Sequence, residues 1–96
     1  MKKGYIVCVY ESISDENVLK NYAVKAREAV NKYDGKFLVR GNNNVVTEGK
    51  NFVRTAIIEF SSFEIAKEFF YSSEYQVAHE LLKDTVIRNH QIIEGN

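Results

Sequence analysis

Residues 35–60 read GKFLVRGNNNVVTEGKNFVRTAIIEF, two extended runs joined by residues that favour turns. Residues 36–40 open a strand, and Gly41 with Asn42, Asn43 and Asn44 tolerates positive φ, which predicts a bulge or bend there. The strand resumes over 45–48, turns tightly at Gly49, Lys50 and Asn51, and continues as a third strand over 52–60. In that strand Val53, Thr55, Ile57 and Glu59 share one face, and Phe52, Arg54, Ala56, Ile58 and Phe60 the other. Arg40, Glu48, Arg54 and Glu59 set charges among apolar neighbours, which makes this hairpin the place to look for a site.

Upstream, residues 4–10 are β-branched and aromatic, the composition of a strand. Tyr5, Val7 and Val9 point one way and Ile6, Cys8 and Tyr10 the other, so both faces are apolar and the strand is expected at the centre of a sheet. Ser12, Ser14 and Asp15 offer capping oxygens for a helix over about 15–33. Its stripe is Val18, Leu19, Tyr22, Ala26, Ala29, Val30 and Tyr33. Asp34-Gly35 ends it, with glycine taking the left-handed conformation.

Downstream, the Ser61 to Glu64 spacing matches a capping box and opens a second helix that buries Ile65, Ala66, Phe69 and Phe70. The spacing repeats from Ser73 to Gln76, predicting a break and a short third helix to about residue 83 that buries Val77, Ala78, Leu81 and Leu82. A last strand covers about 86–94. The order β-α-β-β-α-β is that of ferredoxin-like α+β folds, a four-stranded antiparallel sheet with helices on one face, here as a single domain over 1–96. The second face would expose apolar side chains from several strands, which predicts a homodimer packed through its sheet faces.

Thirteen basic residues balance thirteen acidic ones among 96, so no net field recruits nucleic acid or a membrane surface. The apolar run near the N-terminus spans only residues 5–10, too short for a signal sequence, and no segment is long enough to span a membrane. One cysteine, Cys8, excludes an internal disulfide. A cytoplasmic location fits these features.

GKFLVRG at 35–41, Glu48-Gly49, IEF at 58–60 before a serine-capped helix, the tract from Tyr71 to Tyr75, and the opening Gly4-Tyr5 together resemble the small bacterial proteins of the DUF1330 family. The resemblance covers essentially the whole chain and implies a dimeric α/β barrel. Its relatives include cofactor-free monooxygenases, lactone isomerases and haem-handling proteins. The family's recurrent polar positions match Arg40, Glu48 and Tyr75, and it brings no established catalytic set. Where the family often has proline after the strand-three phenylalanine, this chain has Ser61.

Arg40 and Glu59 fall at the ends of neighbouring strands, as an ion pair fastening a strand end or as an arginine fork facing a ligand's carboxylate or enolate oxygens. Glu48 and Arg54 suit a surface pair near the turn. Tyr75, beside the expected capping serine, is placed to cover the mouth of the cleft and orient a ligand. His79 and His90 are the groups whose ordinary pKa suits proton transfer. No metal is expected, because three converging ligands are lacking. No glycine-rich nucleotide loop is present and no cofactor is expected. The candidate ligand-binding residues are therefore Arg40, Glu48, Glu59, Tyr75 and His79, with no catalytic residue assigned. They suit a cleft between sheet and helices that binds a small anionic or aromatic molecule. The alternatives are an interaction protein whose dimer is the functional unit, and a monooxygenase- or isomerase-like enzyme.

Overall fold

β1, Gly4–Ile13, runs through the middle of the sheet in the computed structural model of the protein, which describes residues 2–96. It pairs antiparallel with β3 (Arg54–Phe60) on one side and with β4 (Val86–Glu94) on the other. β2 (Lys36–Gly41) lies outside β3, giving the order β2-β3-β1-β4. Three helices complete the βαββαβ chain: α1 (Glu16–Lys32), α2 (Phe63–Tyr71) and α3 (Ser73–Glu80). Ile6, Cys8 and Tyr10 on the helix side of β1 are almost completely buried, and Tyr5, Val7 and Val9 opposite are only partly covered.

α1 forms where its apolar stripe predicts. Asp15 caps it by accepting from the Asn17 and Val18 N–H groups, and Leu19, Tyr22, Ala26, Ala29 and Val30 are buried. At its end Asp34, not Gly35, takes positive φ, at 56°. Gly35 serves close packing instead, because a Cβ there would lie 2.6 Å from the Phe60 ring and 2.8 Å from Val30.

Both capping serines fall one residue away from the expected position. Ser62, not Ser61, accepts from the Ile65 N–H at 3.1 Å, which leaves Glu64 exposed and paired with Lys67 rather than closing a capping box. Ser72, not Ser73, joins the two later helices: its hydroxyl donates to the Phe69 carbonyl at 2.6 Å and accepts from the Tyr75 N–H at 3.1 Å. The shift turns the face of α3, so Tyr75, Ala78 and Leu82 are buried, whereas Val77 and Leu81 are exposed.

The largest departure lies between β2 and β3. Residues 42–53 form a loop, without the resumed strand expected at 45–48 or the early start of β3 at Phe52. Asparagine side chains compete with a ladder for backbone groups; Asn44 donates to the Phe52 carbonyl at 3.0 Å, and Val45 has no apolar surface to cover it. The irregularity expected at 41–44 sits instead inside β2. Phe37 is opposite Ile58, Val39 opposite Ile57 and Arg40 opposite Ala56, so Leu38 is the extra residue of a bulge.

Gly4 runs against the start of α2, where a Cβ would lie 2.4 Å from the Ser62 carbonyl oxygen and 2.6 Å from the Phe63 Cα. These are backbone atoms, so the clash cannot be relieved by a rotamer change. Gly4→Ala is expected to lower unfolding free energy by about 1–3 kcal/mol. A urea midpoint equal to that of the parent would refute the close approach.

Candidate functional site

The inward faces of the strands form rows whose register places the polar groups. Arg54 of β3 is opposite Tyr10 of β1, and Tyr10 is opposite Arg88 of β4. In the adjacent row Arg40, Ala56, Cys8 and His90 lie side by side. Above these rows Tyr22 comes down from α1 and Tyr75 from α3, with their hydroxyls 2.9 Å apart. The cleft between sheet and helices holds a cavity of ≈ 50 Å³ open to the centres of water molecules, with Arg40, Arg54, Arg88 and His90 among its walls and no Asp or Glu. At roughly 10–15 Å³ per water centre it takes about four waters. Their liquid volume, about 120 Å³, approaches that of apolar cavities known to take up benzene.

Arg88 dominates the cavity. One terminal nitrogen donates to the Tyr10 hydroxyl at 3.1 Å, to Tyr22 at 3.4 Å and to the Cys8 sulfur at 3.6 Å; the other donates to Tyr75 at 3.0 Å. Among the described residues it has no carboxylate within 4 Å. Burial works against its charge, which arginine's intrinsic basicity nonetheless maintains. At neutral pH the oxygens and sulfur around it belong to neutral groups. Burial pushes the Tyr10 and Tyr75 phenols up, and likewise the Cys8 thiol. Hydroxyls that accept from Arg88 keep their own protons to donate. Tyr22 and Tyr75 spend one on each other, which leaves one of that pair and Tyr10 able to donate into the cavity.

His90 stacks on Tyr75 with ring centres 6.1 Å apart, and burial followed by the nearby Arg88 charge pushes its pKa down to about 3. Burial and Arg88 also lower His79. The cavity is thus walled by cations and neutral donors, with no group poised to remove a proton near pH 7.

The structure brings together two of the five residues singled out from sequence. Arg40 and Tyr75 both line the cavity. Tyr75 is 1% exposed and belongs to the cavity's inner wall rather than its mouth. Glu59 lies on the opposite face of the sheet, where it accepts from the Tyr5 hydroxyl at 3.2 Å and meets Lys3 at 3.8 Å, so the expected Arg40–Glu59 pair is absent. Its cross-strand neighbour is Lys36, and Arg40 faces Ala56. Glu48 is exposed in the 42–53 loop, and Arg54 bonds Asn42 at 3.0 Å in place of the Glu48 partner expected for it. His79 packs on the Tyr75 ring with centres 5.8 Å apart but lines a surface groove shared with Glu80, Asp84 and Arg88 rather than the cavity. Arg88 itself was not singled out. Its parity with His90 and Ile92 was readable, but an arginine in an edge strand more often points to solvent.

A four-stranded sheet in this order, with helices on one face and a cleft beneath them, defines a ferredoxin-like α/β protein. The chain belongs to the DUF1330 family, a domain of unknown function, whose profile matches residues 3–96. Among solved structures it is similar to a protein of unknown function from Rhodopseudomonas palustris, with TM-score 0.78 and 11% identity over 99% of this chain and 83% of that one. A dimeric ferredoxin-like protein of unknown function from Jannaschia has TM-score 0.70 and 12% identity, covering 96% and 98%. A cofactor-independent oxygenase from Streptomyces nogalater has TM-score 0.66 and 7% identity, covering 100% and 95%. Identities this low establish a shared fold and nothing about activity. No curated protein matches the chain in sequence. Among the described residues no helix is long and apolar enough to cross a membrane.

The low pKa of His90 sets a pH dependence whose sign follows from proton counting. An unfolded histidine takes its proton near 6.5 and the folded one only near 3, so between these values the unfolded state holds more protons. Stability therefore falls as pH falls below 6.5, by up to about 1.4 kcal/mol per pH unit from this residue. From pH 7 to pH 5 the parent should lose about 2 kcal/mol more than His90→Gln does, measured by urea unfolding. Equal losses would show that His90 is not held neutral.

Proposed function

We propose that the cleft binds a small organic acid, presenting Arg88 and the hydroxyls of Tyr10, Tyr22 and Tyr75 to its carboxylate or enolate oxygens. The observation that carries this reading is a half-buried guanidinium bonded only to neutral groups. Burying an unpaired charge is costly, and a protein that tolerates it gains when an anion completes the pair. The size of the cavity suits one ring or a short chain. The absence of a base with a pKa near 7 among its wall residues favours binding over proton abstraction. A cytoplasmic location belongs to the same proposal, supported by the lone, buried Cys8 thiol.

We also infer that two copies pack through their open sheet faces. There Val39 is 44% exposed, Val53 49%, Ile87 60% and Ile93 48%, and they adjoin Tyr5, Val7, Val9 and Ile57. These apolar side chains, interspersed with Thr55, Asn89 and Gln91, lie on the one face of the sheet that the helices leave uncovered. The dimeric description of the Jannaschia protein fits the same arrangement.

Two measurements test these readings. Millimolar benzoate at constant ionic strength should raise the melting temperature of the parent. Arg88→Met should weaken benzoate binding at least tenfold while leaving stability unchanged or higher, because the substitution removes a buried unpaired charge. Benzoate binding that survives the change would remove Arg88 from the site. In sedimentation at micromolar concentration the parent should run at twice its 11.1 kDa chain mass, and Ile57→Glu should run as a monomer. A monomeric parent would refute the interface.

A further inference from the structure

Arg88 is one of three arginines lining the cavity, and the other two also lack a carboxylate. Arg54 donates to the neutral amide oxygen of Asn42 at 3.0 Å. The Arg40 guanidinium carbon sits 4.6 Å above the Phe37 ring. Neither has an acidic partner within 4 Å among the described residues. Three positive charges around one small apolar cavity repel one another, and a single carboxylate would balance only one.

Their placement has two poles. Arg54 and Arg88 flank Tyr10 from the two neighbouring strands, which separates their backbone positions by about 9–10 Å. Arg40 is the diagonal neighbour of Arg54, about 7–8 Å away across β2 and β3, so these two form one pole and Arg88 the other. Between the poles the sheet carries Tyr10 and, in the adjacent row, the small side chains of Ala56 and Cys8, and α1 contributes Ala23 and Ala26 to the same cavity. The small residues leave room beside the Tyr10 ring for a flat body, with donors at each end.

Building on the acid-binding reading above, we propose that the cleft selects a compact diacid. Its two carboxylates are carried on one ring or a chain of similar length. The inner carboxylate is taken by Arg88 and the tyrosine hydroxyls, and the outer one by the forks of Arg40 and Arg54. Arg40 is exposed, whereas Arg54 and Arg88 are both half-buried, so Arg40 stands at the mouth and Arg88, ringed by hydroxyls, fixes the depth of binding.

Calorimetric titration of the parent with benzoate, isophthalate and terephthalate at fixed ionic strength tests the second pole separately from the first. At least one diacid should bind tenfold or more tighter than benzoate. In the Arg40→Gln/Arg54→Gln double variant that diacid should fall to the affinity of benzoate, while benzoate itself changes less than about twofold. Benzoate binding as tightly as both diacids, or a diacid preference that survives the double variant, would overturn the two-pole site and leave the single-acid site standing. If neither benzoate nor a diacid binds the parent, both readings fail together. The comparison among ligands on the parent decides the question even if the double variant is unstable.

Discussion

Arg88 holds its charge inside the protein among oxygen and sulfur lone pairs supplied from three other elements. Tyr10 comes from β1, Tyr22 from α1 and Tyr75 from α3, so the guanidinium of β4 is the point where sheet and helices meet through polar contacts. A network of this kind is stable only when each member is satisfied. Among the described residues no buried side-chain nitrogen or oxygen is left without a partner. The arrangement is complete in hydrogen bonds and incomplete in charge. A structural clasp would have used a carboxylate; the proposed site leaves that place open.

The aromatic core supports the network from behind. Phe60, Phe69 and Tyr75 form a chain of ring contacts, with centres 5.0 Å and then 4.8 Å apart. This packing fixes the Tyr75 hydroxyl, and Ser72 fixes the backbone that carries it. Binding groups held by packed rings and a helix cap are already ordered before a ligand arrives, which lowers the entropy cost of binding.

The repeating patterns were legible in the sequence. The stripe of α1, the two-sided apolar character of β1 and the capping serines gave the element order and the ferredoxin-like topology, with caps misplaced by one residue. Arg40 was singled out as a charge among apolar neighbours and Tyr75 for its place beside the expected capping serine, and both line the cavity. Arg88 and the inward turn of Tyr10 and Tyr22 were harder to see. A tyrosine in an apolar stripe looks the same whether its hydroxyl reaches solvent or a buried arginine. Glu48 and Glu59 do not form the arginine pairs expected of them, because such pairs required a register that local spacing does not encode. The three asparagines signalled a break but not its length, since the choice between hairpin and loop depends on what Val45 can pack against.

The bulge at Leu38 decides which way Arg40 points. Strict alternation from Phe37, which faces inward opposite Ile58, would put residue 40 on the open face; the extra residue returns it to the cleft. β2 is an edge strand, where a change of one residue disturbs only one neighbour. A homologue lacking a residue at this point would lose the bulge and still face the equivalent arginine into the cleft, whereas one that kept every residue but straightened the strand would carry it outside. In this architecture the charge at the mouth of the cleft depends on a local break in the strand ladder as much as on which side chain the position carries.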